Sequence, residues 1–241
     1  MKKTIVLLLL LNIAYAITLT PLTETLDSKK KKYLIFKVKN PTAEPVAVDV
    51  SVLRVLSTDN NREKREPTDK ISYYPSQFVL SPKDTKNIRI RYMGSKLPDI
   101  EEVYRVIAKE LDIDVSDKKE DDSISEVRAK IKMRFTYEGL LLVHNPTSKP
   151  ELKITSFKEL PNRELSISIT NNGTASIVPM ARNYNFLVTI RGKEYLLQPE
   201  DLKGAEFRRA LPRQTNTYYL KHIVNLPNGK IDSIRLERIK K

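Results

Sequence analysis

Glu126-Val-Arg-Ala-Lys-Ile-Lys-Met-Arg-Phe-Thr-Tyr137 is the stretch whose reading decides the fold. Its odd positions, Val127, Ala129, Ile131, Met133 and Phe135, are apolar, while Arg128, Lys130, Lys132 and Arg134 between them are basic, a strict period of two. That period predicts a strand with two unlike faces, as in an antiparallel sheet. Four like charges along one face repel one another, so that face needs water or an acidic partner. Two readings stand at this point: a core strand with a solvated basic face, or a strand made to pair with another chain.

Working outward, residues 112–123 are acidic and poor in apolar side chains, which predicts a loop. Before it, residues 103–111 are apolar on both faces apart from Arg105, Lys109 and Glu110, the pattern of an interior strand. Further upstream, residues 17–22, 33–39, 46–55, 71–75 and 87–92 are short strand-like runs. They are separated by turn chemistry such as Asn40-Pro41-Thr-Ala-Glu-Pro45 and by a polar loop over 59–70. About seven short strands, with turns every eight to twelve residues, predict an immunoglobulin-like sandwich over residues 17–138. Residues 139–150 end in His144-Asn145-Pro146-Thr-Ser-Lys-Pro150 and read as a linker. Residues 151–241 then repeat the strand-and-turn pattern, with strands at 152–157, 164–170, 177–185, 186–190, 195–197, 217–224 and 230–236. Asn228-Gly229 carries a type I′ hairpin signal. The fold class is all-β: two sandwich domains joined by a short connection.

The first sixteen residues have their own logic. Two lysines, an apolar run from Ile5 to Leu11 and Ala14-Tyr15-Ala16 form the charged, apolar and small-residue order of a secretory signal. Ile17 is then the first mature residue. The run is too short to span a bilayer as a stable helix, so no integral membrane segment is expected after cleavage. The whole chain has 43 basic and 30 acidic residues; without Lys2 and Lys3 the net charge is +11, which suits acidic partners. An exported protein has little access to nucleic acid, and no zinc knuckle or recognition-helix pattern supports such binding. The absence of cysteine removes disulfide and thiolate chemistry. Catalysis has little to stand on: His144 and His222 are the only histidines, in no metal or general-base constellation, and no Gly-x-Ser-x-Gly elbow is present. No cofactor and no enzyme activity are expected, and paired acids such as Glu101-Glu102 read as surface or loop residues.

Pro75-Ser-Gln-Phe-Val-Leu-Ser-Pro82, Lys86-Asn-Ile-Arg-Ile-Arg91, Glu101-Glu-Val-Tyr-Arg-Val106 and the turn Lys39-Asn40-Pro41 together resemble the first domain of the periplasmic, PapD-like chaperones of the chaperone–usher pilus pathway. Glu101 to Val106 is most similar to the alternative, colonisation-factor branch. The likeness covers nearly all of domain one, and in domain two it rests on residues 166–172 and 211–220. The resemblance implies a boomerang of two immunoglobulin-like domains in the periplasm. Such a protein holds pilus or fimbrial subunits that lack their own last strand, lends them one, and delivers them to an outer-membrane usher. Val127, Ala129, Ile131, Met133 and Phe135 match the donor residues. The resemblance also implies basic residues in the interdomain cleft that anchor the subunit's C-terminal carboxylate. One branch uses an arginine on the first strand, and Thr23 stands there instead. A lysine near the end of the donor strand falls at Arg134, with Lys132 beside it.

Arg105 is the expected second anchor, provided a tight hairpin sets it near Lys130. A structural ion pair with Glu101, Glu102 or another domain-one carboxylate is the competing role. Glu138 stands where the family's interdomain salt bridge has an arginine. A cis Tyr74–Pro75 bond is also expected from the resemblance. The alternative function is a two-domain surface structural or adhesin protein.

Overall fold

The computed structural model describes residues 16–27, 33–59, 62–113, 134–180, 182–221, 223 and 225–239. Among them the N-terminal unit contains β1 (Thr18–Thr20), β2 (Thr23–Leu26), β3 (Leu34–Lys39), β4 (Val46–Asp59), β5 (Arg62–Pro67), β6 (Ile71–Tyr74), β7 (Gln77–Leu80), β8 (Thr85–Tyr92), β9 (Glu102–Glu110) and β10 (Thr136–Val143). One sheet runs β1-β3-β8-β6. The other runs β2-β10-β9-β4-β5, with β7 also on β4. Phe36, Val38, Ile88 and Ile90 of the first sheet close on Val48, Val50, Val52, Tyr104, Val106, Ala108, Leu141 and Val143 of the second. The period of two is what builds this interface: β3 buries every second residue without exception.

Pro21, which has no N–H to offer a ladder, divides the first strand run in two. β1 pairs antiparallel with β3 in one sheet, and β2 pairs parallel with β10 in the other. Both Thr20–Pro21 and Tyr74–Pro75 are cis.

Two expectations for this unit need correction. Residues 62–67, read as part of a polar loop, form β5 against the second half of β4. Arg-Glu-Lys-Arg-Glu-Pro has no apolar face, because an edge strand held by its ladder and by ion pairs needs none. Residues 139–143, read as linker, are the second half of β10. They pair with β9 from Gly139↔Val106 to Val143↔Glu102. The connection between units therefore runs from His144 to Glu151.

The C-terminal unit contains β11 (Leu152–Leu160), β12 (Glu164–Asn171), β13 (Tyr184–Ile190), β14 (Lys193–Leu196), one short helical turn α1 (Pro199–Leu202), β15 (Thr215–Leu220) and β16 (Ile231–Arg238). Its two sheets are β11-β12-β15 and β14-β13-β16, packed over Leu165, Ile167, Ile169, Phe186, Val188 and Leu220. The strand expected over 177–185 is instead a single bridge, Ile177↔Ala210, followed by a turn. Pro179, without an N–H, cannot continue the ladder. The tight hairpin also lies elsewhere than expected. Arg191 and Gly192, at φ +50° and +70°, form the two-residue turn between β13 and β14, whereas Asn228-Gly229 leads into β16.

One likeness between the two halves is structural. Asn40 and Asn171, both fully buried, follow or end a core strand and staple the turn after it. Asn40 Nδ2 donates to the carbonyls of Glu44 and Leu80, and Asn171 Nδ2 to those of Ala175 and Ala210.

Candidate functional site: the edge of β10 and the cleft between the domains

In β10, Tyr137, Leu141 and Val143 face the core of domain one. Thr136, Glu138, Leu140 and Leu142, of opposite parity, point to the outer face. One edge of the strand is covered by β9 throughout. On the other edge β2 covers only Leu140 to Val143, so residues 136–139 have no strand partner there among the described residues. Phe135, half-buried, leads directly into this open edge. Val127, Ala129, Ile131, Met133 and Lys132 lie outside the described residues.

The outer face of the β10-β9-β4 sheet carries an ionic network. Arg105 Nε donates to Glu63 Oε2 at 3.0 Å. Arg65 donates to the same carboxylate through Nε at 2.8 Å, and grips Glu138 with both terminal nitrogens at 2.7 Å. The network exists because β5 brings Glu63 and Arg65 across to β9 and β10. Burial works to raise the Glu63 carboxyl, but the Arg105 and Arg65 guanidiniums outweigh it and hold the group below its ordinary value. The Glu138 hydrogen bonds, against burial, raise Arg65. Arg105 thus has a structural partner from domain one. It is Glu63, which sequence reasoning placed in a loop, rather than Glu101 or Glu102.

Glu101 and Glu102, read as surface acids, are both buried. Glu102 accepts from Tyr104 Oη at 2.7 Å and pairs with Lys70. Burial pushes its carboxyl up and these partners bring it below its ordinary value, while burial beside Glu102 raises Tyr92 to about 12.

Glu101 crosses to domain two. Its Oε1 accepts from Ser176 N at 3.0 Å and from Ser176 Oγ, and its Oε2 lies 3.6 Å from His144 Nε2. Arg209 Nη1 donates to the same Ser176 Oγ at 3.0 Å. Burial lowers Arg209, with Glu101 opposing that shift and nearby Arg105 adding to it. Beneath these groups Val55, Val103, Leu140 and Leu142 meet Leu211 of domain two in one apolar cluster. The second half of β4 reaches across as well: Gln214 Nε2 donates to the Leu56 carbonyl at 2.6 Å. The connection itself is pinned on both sides. Asn145 N–H donates to Pro98 O and Asn172 N–H to Glu151 O. Gly173 fits against this segment because a Cβ there would stand 2.3 Å from the Lys149 carbonyl.

Of the two expected anchors among the described residues, Arg105 lies on the cleft face and Arg134 does not. Arg105 sits opposite Leu140, three residues along β9 from the domain boundary. Arg134 stands two residues before β10 begins, near the opposite end of the sheet, half-exposed and paired with Asp112. Six residues of strand separate the two levels, about 20 Å at roughly 3.4 Å per residue. The register places Leu140, not Lys130, across from Arg105, so the tight hairpin that would have joined the anchors is absent. Arg65 and Arg209 are the cations that sequence reasoning missed. Neither had a signal, since Arg65 lies in a run without periodicity and Arg209 outside any strand.

Two immunoglobulin-like sandwiches, a short pinned connection and a strand whose edge is open away from the cleft define the molecule as a two-domain β-sandwich protein. A family model described as pili and flagellar-assembly chaperone, PapD N-terminal domain, matches residues 17–144, and the chain belongs to that family. No curated protein matches the sequence.

Among solved structures, a chain from a chaperone–tip adhesin complex of CFA/I fimbriae biogenesis superposes with a TM-score of 0.58 at 13% identity, covering 93% of this chain and 92% of that one. A chain from the CsuC–CsuE chaperone–tip subunit pre-assembly complex of the archaic Csu pili of Acinetobacter baumannii gives 0.54 at 16%, covering 84% and 89%. The class 5 fimbriae chaperone CfaA gives 0.52 at 12%, covering 93% and 99%. At such identities the likeness is one of fold, and it extends over both domains.

Proposed function

We propose that this protein is exported to the periplasm, binds pilus or fimbrial subunits by lending them the strand that runs into β10, and passes them to an outer-membrane usher. Phase carries the reading. Val127, Ala129, Ile131, Met133 and Phe135 share the parity of Tyr137, Leu141 and Val143, so the apolar set in front of β10 continues the set that β10 turns inward. A groove that lacks a strand is filled by such a run through β-augmentation, in which main-chain hydrogen bonds give affinity and alternate side chains fill pockets. Three or four buried side chains contribute about 5 to 10 kcal/mol before association costs are subtracted. The reading is of a binding protein, with no chemical step.

The subunit's terminal carboxylate is assigned to the cleft cations. Arg105 and Arg65 already hold two carboxylates, and Glu138 is the more exposed of the pair, with a third of its side chain open. An incoming carboxylate exchanges for Glu138 on this planar fork of donors. Arg134, at the far end of the sheet, meets the bound strand away from its terminus, and Lys132 is assigned with it.

The test is Ile131→Asp in a periplasmic co-expression with a cognate subunit. An unpaired carboxylate cannot enter an apolar pocket, so one-to-one co-purification should be lost while the melting temperature of the free chaperone is unchanged. Normal capture by this variant would show that the donor strand is assigned wrongly.

A further inference from the structure

Glu110 is the last residue of β9 and has the parity of Tyr104, Val106 and Ala108, so its carboxylate is turned to the core side of domain one. It is buried. Its Oε1 accepts from the backbone nitrogen of Ile17 at 3.1 Å, and its Oε2 from the N–H of Phe135 at 3.2 Å. Its own N–H donates to the Phe135 carbonyl at 3.1 Å. Ile17 is itself fully buried, with its side chain in the core. Both donors to the carboxylate are neutral amides, and among the described residues no lysine or arginine pairs with it. Among the described residues this buried carboxylate therefore has no counter-charge.

We infer that removal of the leader creates the counter-ion: the α-ammonium of Ile17, held by Glu110. The inference rests on cleavage after Ala16. Hydrolysis of the Ala16–Ile17 peptide bond consumes one water, leaves the new carboxylate on Ala16 and frees a primary amine on Ile17. The amine takes up a proton at neutral pH, since its ordinary value is about 7.7–8.0. The nitrogen that donated one hydrogen bond as an amide then donates as a cation, from the place it already occupies. Glu110 thereby fastens three points together: the mature N-terminus, the end of β9, and the residue that leads from the donor run into β10. The leader-bearing chain has the same hydrogen bonds without the charge pair, so the base of the donor strand is held more firmly after processing than before.

The experiment uses the exported, full-length mature protein. Intact mass first fixes its first residue. The pKa of the Ile17 amine is then measured by NMR on protein labelled with ¹⁵N-isoleucine. Pairing predicts a value at least about one unit above the ordinary range, returning to that range in Glu110→Gln. A second measurement does not depend on that variant's amine signal. A Gly-Ser extension ahead of Ile17 should lower the melting temperature of the wild type by several degrees and have a much smaller effect in the Glu110→Gln background.

An unshifted amine on a chain that begins at Ile17 overturns the ion pair and leaves export untouched. Equal effects of the extension in both backgrounds overturn it too, since they would reflect packing alone. A chain that begins elsewhere removes the site together with the cleavage assignment.

Discussion

Arg105 stands in the apolar middle of β9, and its charge is tolerated there because Glu63 meets it and Arg65 ties Glu63 to Glu138. Arg105→Ala leaves Glu63 half-buried with one cation fewer. The expected cost is about 1.5–3 kcal/mol, toward the lower end because about a quarter of each arginine side chain is open to water. In a domain pair of this size, thermal melting would register that as a drop of several degrees. Arg134→Ala, by contrast, removes an exposed pair with Asp112 and should change stability by no more than about 0.5 kcal/mol. If the cleft assignment holds, Arg105→Ala also weakens subunit co-purification by more than its loss of stability explains. Equal losses of both would return Arg105 to a purely structural role.

Acid should act on the same residues. Glu63 and Glu102 are held below their ordinary value of 4.5, so each favours the folded state above that pH and loses its contribution as pH falls through the folded value. Melting temperature measured from pH 6 to pH 3 should fall, and Glu63→Gln should flatten part of that slope. A slope unchanged in Glu63→Gln would mean that other carboxylates govern acid unfolding.

At the scale of elements, the strands that sequence alternation revealed were those with one wet face and one dry face. Where a second cover is added, alternation disappears. Leu140 and Leu142 are buried by domain two from the outside while Leu141 and Val143 are buried by the core, so the end of β10 reads as an apolar run before a turn. β5 fails in the other direction, polar on both faces and invisible to any periodicity. The parity of β10 was legible from the alternation that leads into it, but the level at which the strand meets the cleft was not. That level depends on where β10 stops, which sets Arg134 two residues before the strand and six residues from the level of Arg105.

The turns after β3 and β12 were legible as turn chemistry, although the buried asparagines that fix them were not. Asn40→Ala and Asn171→Ala each strip donors from buried or half-buried carbonyls, at an expected cost of about 1–3 kcal/mol apiece. Chemical denaturation should show a lower midpoint with an unchanged slope. A midpoint shift below about 0.5 kcal/mol would show that water replaces the staple.

Across the whole molecule the two sandwiches are coupled through Glu101, Ser176, Arg209 and the apolar contact with Leu211. Glu101→Ala should leave Arg209 buried with its opposing charge removed, and should split one calorimetric unfolding transition into two as the domains lose their grip on one another. A single transition at the original temperature would show that the apolar cluster suffices. The other tie is β4, fourteen residues long. Its first half is clamped between β9 and β7, and Leu56, at the register shift between Val55 and Ser57, is attached to Gln214 of domain two. Mechanically this is a cantilever with a notch. Torque that opens the two domains is shared between the Glu101 and Leu211 contacts and Leu56, and the part that reaches β4 arrives at its notch.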